Sequence, residues 1–165
     1  MADQINQLVF PVGITGGRIE FLHTPILKDL VFTITEGKFE RGEGGQLAVF
    51  IDTQAPFAPM QKLNEKLGIS KMKLTSRVPQ LSSDPTKPTV FTSKNTINFP
   101  RGEKIFNPLN WREELLPIDL TCIVETLAKG ALTGKKVQGE FSVRYNYVQL
   151  QKILDAVGTF IVNLA

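Results

Sequence analysis

Val137-Gln138-Gly139-Glu140-Phe141-Ser142-Val143-Arg144-Tyr145-Asn146-Tyr147 decides the fold class. Val137, Gly139, Phe141, Val143, Tyr145 and Tyr147 fall on one side, and Gln138, Glu140, Ser142, Arg144 and Asn146 take the other. Strict alternation places successive side chains on opposite faces of an extended chain, so this is a half-buried strand. Similar texture recurs upstream. Arg18 to Leu22 alternates polar and apolar, Leu30 to Thr35 is β-branched with period two, and Gln46 to Ile51 reads as a more fully buried strand. Further strands are expected at Asn6 to Val12, Thr89 to Thr92, Thr96 to Phe99, Lys104 to Pro108 and Leu116 to Thr126. Thirteen glycines and ten prolines in 165 residues leave little room for long helices. The chain is long enough for one domain, residues 1–165, and a 42% hydrophobic fraction suffices for a single core. The expected class is all-β, a two-sheet β-sandwich or single jelly roll.

Two stretches interrupt that pattern. Residues 55–88 read as an insertion: Leu63, Leu67 and Ile69 sit near helical spacing between Gln61 and Lys73, and Val78 to Pro88 has the composition of a surface loop. Residues 150–165 read as a C-terminal tail, a short helix at Leu150, Ile153, Leu154 and Val157 followed by a strand at Thr159 to Val162. Lys38 to Gly45 reads as a charged, glycine-rich loop.

The residues that carry chemistry are few. The single histidine, His23, precedes Thr24-Pro25 and has no nucleophile beside it in sequence, so a hydrolase is disfavoured and no catalytic residue is assigned. One histidine and one cysteine about a hundred residues apart indicate no transition-metal site, and no cofactor is implied. Cys122, among Leu120, Ile123 and Val124, reads as a small buried hydrophobe. Glu113 and Glu114 are neighbours whose side chains diverge, unlike a glycosidase pair. Gly13-Ile14-Thr15-Gly16-Gly17 lacks the Gly-Lys-Ser/Thr ending of a phosphate loop and reads as a hairpin turn.

Net charge is +3, too mild to name a partner. Locally, Lys62, Lys66, Lys71, Lys73 and Arg77 are opposed only by Glu65. This basic segment could face nucleic acid or an anionic lipid head group, but no aromatic interleaves with its cations in sequence to stack on bases, so a solvated helix face is the plainer reading. Trp111, beside the Asn107-Pro108-Leu109-Asn110 turn, is either a contact anchor or a lid on the core. The N-terminus has no basic region followed by an apolar run, so neither a signal peptide nor a spanning helix is expected, and the protein is expected to mature in a cytoplasm.

One larger pattern runs through Val49 to Asp52, Ile97 to Leu109, Ile118 to Val124 and Gly134 to Asn146: an apolar strand ending Ile-Asp, then Ile-x-x-Pro-x-Gly-x-x-x-Phe-x-Pro-Leu, a strand, Gly-Lys-Lys, and a final strand with aromatics and Asn. It resembles the penton-type single jelly roll of icosahedral, internal-membrane bacteriophages such as the tectiviruses. The resemblance implies a capsid subunit of the virion, made in the host cytoplasm and acting through contacts with other shell subunits as a pentamer. A spike protein and the internal membrane are further implied partners. Trp111, Arg112 and Phe57 would then serve subunit contacts. Residues 55–88 and the tail beyond Leu150 depart from that pattern. The rival reading is a β-sandwich binding module for carbohydrate or single-stranded nucleic acid, the former disfavoured by one Trp and two Tyr.

Overall fold

The computed structural model describes residues 13–22 and 30–165. The expected first strand at Asn6 to Val12 and His23 lie outside them. The described elements are β1 (Ile14–Phe21), β2 (Val31–Arg41), β3 (Leu47–Gln54), α1 (Ala58–Leu67), β4 (Lys71–Ser76), β5 (Thr89–Phe99), β6 (Lys104–Asn107), β7 (Arg112–Leu115), β8 (Leu120–Ala131), β9 (Lys136–Tyr147) and β10 (Lys152–Leu164). The all-β class holds.

Eight strands close into a barrel in the order β1-β10-β9-β8-β5-β4-β3-β2, and every pair is antiparallel. Each barrel strand pairs with its neighbour in sequence, apart from β5 with β8, between which the β6–β7 hairpin is inserted. This is a meander closed by β1 on β10, whereas a jelly roll requires Greek-key crossovers between two sheets. Closure leaves little open edge among the described strands; the weakest seam is β4 on β5, paired at Thr75 and Thr92 alone.

The 150–165 tail is a correction. It is the thirteen-residue strand β10, paired along its length with β9 and from Gly158 onward with β1, and it completes the barrel. Ala156, Phe160, Val162 and Leu164 point inward and are buried, while Ile153 and Val157, which produced the helical spacing, face outward and are exposed. The 55–88 insertion is a second correction, because it contains β4, a stave of the barrel. The helix runs from Ala58 rather than Gln61 and stops at Leu67 instead of continuing to Lys73. Gly68 adopts a left-handed conformation and its N–H caps the carbonyls of Asn64 and Glu65. Beyond it Met72 and Leu74 alternate inward with Lys71, Lys73 and Thr75 outward, a period-two pattern. The charged loop at Lys38 to Gly45 is shorter than expected, since β2 continues to Arg41.

The barrel interior is filled. Phe21, Phe32, Phe91, Phe141 and Phe160 are buried in it with Ile19, Leu47 and Leu74, and Phe21 meets Phe32 and Phe141 edge to face at 4.9 and 5.8 Å. Cys122 is inside the same core, as its apolar neighbours indicated. Burial pushes its thiol pKa up to about 12. The native protein is therefore expected to resist a thiol-labelling reagent at pH 8 and to label stoichiometrically in denaturant; rapid labelling of the native state would contradict this core.

α1, β6–β7 and the β9–β10 turn lie at one end of the barrel, where β3, β5 and β9 finish. α1 buries Met60, Leu63, Asn64 and Leu67, the i, i+3, i+4, i+7 face of an amphipathic helix, and so covers that end. Among the described residues, no helix is long and apolar enough to cross a membrane.

Candidate functional site: an aromatic and cationic surface

The outer wall of β2, β3 and β4 holds the first grouping. Strand register sets Lys38 opposite Phe50 and Phe50 opposite Lys73, so a cation, an aromatic ring and a cation lie in one row across three strands. The Lys38 and Lys73 ammonium nitrogens stand 5.6 and 5.7 Å from the Phe50 ring centroid, within cation–π range. A bulge makes this row possible. Phe32 and Ile34 point inward from β2, the pairing with β3 shifts between Ile34 and Glu36, and from there Phe39 is the inward residue and Lys38 the outward one. One extra residue reverses the faces of everything beyond it.

Acidic groups frame the row. Lys38 pairs with Glu40 at 2.7 Å, and that hydrogen bond holds the Lys38 ammonium pKa above its ordinary value. On the side toward the covered end, Glu36 and Asp52 face each other in register and Asp52 faces Lys71. Glu36, Lys38, Phe50, Asp52, Lys71 and Lys73 line a shallow groove of about 570 Å³ on this wall. Lys73 makes no ion pair among the described residues, which leaves its charge available to a ligand.

The basic segment is thereby divided. Lys71 and Lys73 belong to this wall; Lys62 and Lys66 ride on α1, where Lys66 Nζ donates to the Lys104 carbonyl at 3.1 Å. Arg77 follows the opposite end of β4. Phe50 supplies the interleaved aromatic that linear sequence did not show, because it comes from the neighbouring strand. Sequence reasoning missed both Phe50 and Lys38. A signal was present in the outward phase of Phe50 and Asp52 beside buried Val49 and Ile51, and it required the β3–β4 register to be read.

The second grouping unites Phe57, Trp111 and Arg112. Trp111 lies 5.8 Å from Phe57 and 5.4 Å from Phe106, and Phe57 lies 5.4 Å from Phe106, all ring centroid to centroid. The sequence left Trp111 as either anchor or lid; its ring rests on two phenyl rings and remains 40% exposed. Polar contacts fix the loop beneath it. Asn107 Oδ1 accepts from the Tyr147 hydroxyl at 2.5 Å and from the Leu109 N–H at 3.1 Å. Asn107 Nδ2 and Asn110 Nδ2 donate to Glu114 Oε1, and Arg112 Nε donates to Glu114 Oε2 at 3.1 Å. Hydrogen bonds from Asn110, then from Arg112 and Asn107, hold the Glu114 carboxyl below its usual pKa. Its stabilisation of the loop is complete above the ordinary glutamate range and is lost as pH falls through the lowered value.

Trp111 closes this turn with φ at +55° and donates its N–H to the Asn107 carbonyl at 2.8 Å. Glycine or asparagine suits that left-handed position best, and an aromatic there costs on the order of 1–2 kcal/mol. Backbone ease does not explain a tryptophan at this place, and its side chain is presented on a rigid base.

No group of three His, Cys, Asp or Glu residues that could hold a metal ion occurs among the described residues. No family model matches the chain, and neither a curated protein nor a solved structure is significantly similar to it. The fold and the surface together define a closed antiparallel β-barrel with a filled interior and an outer aromatic and cationic wall.

Proposed function

We propose that this protein is a non-enzymatic binding module for single-stranded nucleic acid, which it holds on the outer wall of β2, β3 and β4. The observation that supports the reading is the Lys38–Phe50–Lys73 row. Phe50 offers a π-face on which any base can stack, and lysines on both sides can turn from the ring to backbone phosphates. Duplex DNA does not expose the faces of its bases, so an outward ring of this kind favours single strands. The row contains no Asn, Gln or Arg fork that would read a base edge, which fits sequence-tolerant binding.

The test is fluorescence anisotropy of a labelled oligothymidylate titrated with protein over a salt series. Affinity is expected to fall as salt rises, with a log–log slope of about −0.7 for each phosphate neutralised. The double variant Lys38→Gln, Lys73→Gln is expected to flatten that slope by about one phosphate or more. Salt-indifferent binding, or none at low ionic strength, would overturn the reading.

A second reading keeps the chain as a shell subunit of a bacteriophage virion, contacting other capsid proteins. The exposed apolar group Val148, Leu150 and Ile153 around the β9–β10 turn favours it, because such groups are commonly covered by a partner. A pentamer mass by light scattering behind a sizing column, unchanged by salt, would shift the conclusion to this reading.

A further inference from the structure

We infer that the Trp111 platform on the covered end is a second base-stacking site, continuous with the Phe50 wall, so that one strand of nucleic acid runs from β3 over the Phe57–Trp111 pair. This rests on the binding function proposed above. Phe57 lies seven positions after Phe50, and a fully extended chain of that length spans at most about 25 Å. That is within reach of a single strand of the length such modules usually hold, roughly 4 to 16 nucleotides.

Three features of the covered end favour nucleic acid as its occupant. The Trp111 ring is backed by Phe57 and Phe106, so a base stacking on its exposed side would meet a surface that does not yield. The Asn107–Tyr147–Glu114 network fixes the hairpin before any ligand arrives, which reduces the ordering cost of binding. Charged groups accompany the ring: Arg112 follows it in sequence with an exposed side chain, its Nε paired with Glu114, and the Lys66 contact to the Lys104 carbonyl brings α1, with Lys62 and Lys66 against the single acid Glu65, alongside β6. Exposed Glu113 is the opposing charge on the hairpin, and Glu114 is already engaged by Asn110, Asn107 and Arg112. On the Phe50 wall the carboxylates Glu36 and Asp52 stand beside the row on its side toward this end, with Lys71 facing Asp52, so phosphates would pass on the Lys71 side.

Trp111 is the sole tryptophan, so its emission reports this platform alone. A twelve-nucleotide oligothymidylate is expected to quench the emission by more than half, saturating with the same midpoint as anisotropy, while a four-nucleotide oligomer quenches little. Trp111→Ala is expected to weaken binding of the longer oligomer about fivefold, Trp111→Phe to recover part of that loss, and neither to alter the affinity for the shorter one. Circular dichroism melting of both variants establishes that the barrel is intact. If the longer oligomer binds with Trp111 emission unchanged and Trp111→Ala binds like wild type, the second platform is wrong and the Phe50 wall stands. If neither oligomer binds, the binding function itself fails. Emission that changes with protein concentration alone would mark the platform as a contact between copies and overturn the inference.

Discussion

Phe50→Ala is expected to weaken binding of a short oligothymidylate about tenfold while leaving the salt slope unchanged. Stacking of a base on an aromatic ring contributes about 1–3 kcal/mol, and one factor of ten is 1.4 kcal/mol. The lower half of that range applies because Phe50 is half-buried between its lysines and offers only part of its face. The salt slope counts phosphates neutralised, and the variant retains both cations, so affinity and slope separate the two contributions. Phe50→Tyr keeps the π-face and is expected to bind within about twofold of wild type. Phe50 lies on the outer wall, away from the filled interior, so its loss should leave the thermal melt little changed. A Phe50→Ala variant that binds as wild type, with its melt intact, would remove the wall as the site and leave the lysines as a diffuse electrostatic surface.

What the sequence revealed of this fold followed the physical contrast between the two sides of each strand. β9 was legible because its outward residues are all polar and its inward ones apolar or glycine. β10 was not, since its outward side also carries Ile153, Val157 and Ile161, and apolar residues on both sides erase the period of two. β4 was hidden behind the helix because Leu63, Leu67 and Ile69 continue a helical rhythm past Gly68, whose left-handed φ stops the helix. Pairing order was beyond reach altogether. A set of about eight strands is compatible with a Greek key or a meander, and only hydrogen-bonded neighbours such as β1 with β10 distinguish them. The candidate site divides in the same way. Trp111, Arg112 and Phe57 stood out singly by residue type, but 54 positions separate the two aromatics. Phe50 between Lys38 and Lys73 exists only once three strands are in register and the β2 bulge has turned Lys38 outward.

Gly139→Ala is expected to destabilise the protein by about 3 kcal/mol, near the upper end of overpacking effects. Gly139 continues the inward row of β9 between Val137 and Phe141, at a place where β8 comes unusually close. A Cβ there would run into the Leu127 carbonyl oxygen and stand 2.8 Å from the Ala128 Cα. Both obstacles are backbone of a central ladder in which Ala128 faces Gly139, with β5 on the far side of β8, so no flexible side chain can give way. The close approach belongs to a sheet bent around a closed barrel, and Gly158 meets the Glu20 carbonyl in the same manner on β10, at 2.6 Å from an added Cβ. For a chain of this size, such a loss lowers the melting temperature by roughly 6–12 °C. Gly134→Ala is the matched control, because nothing lies within 4 Å of its added Cβ, and it should melt within about two degrees of wild type. Thermal melts of the two variants followed by circular dichroism decide the matter. Equal melting of Gly139→Ala and wild type would mean that β8 and β9 do not approach in this register, and the pairing that joins these two staves of the barrel would have to be redrawn.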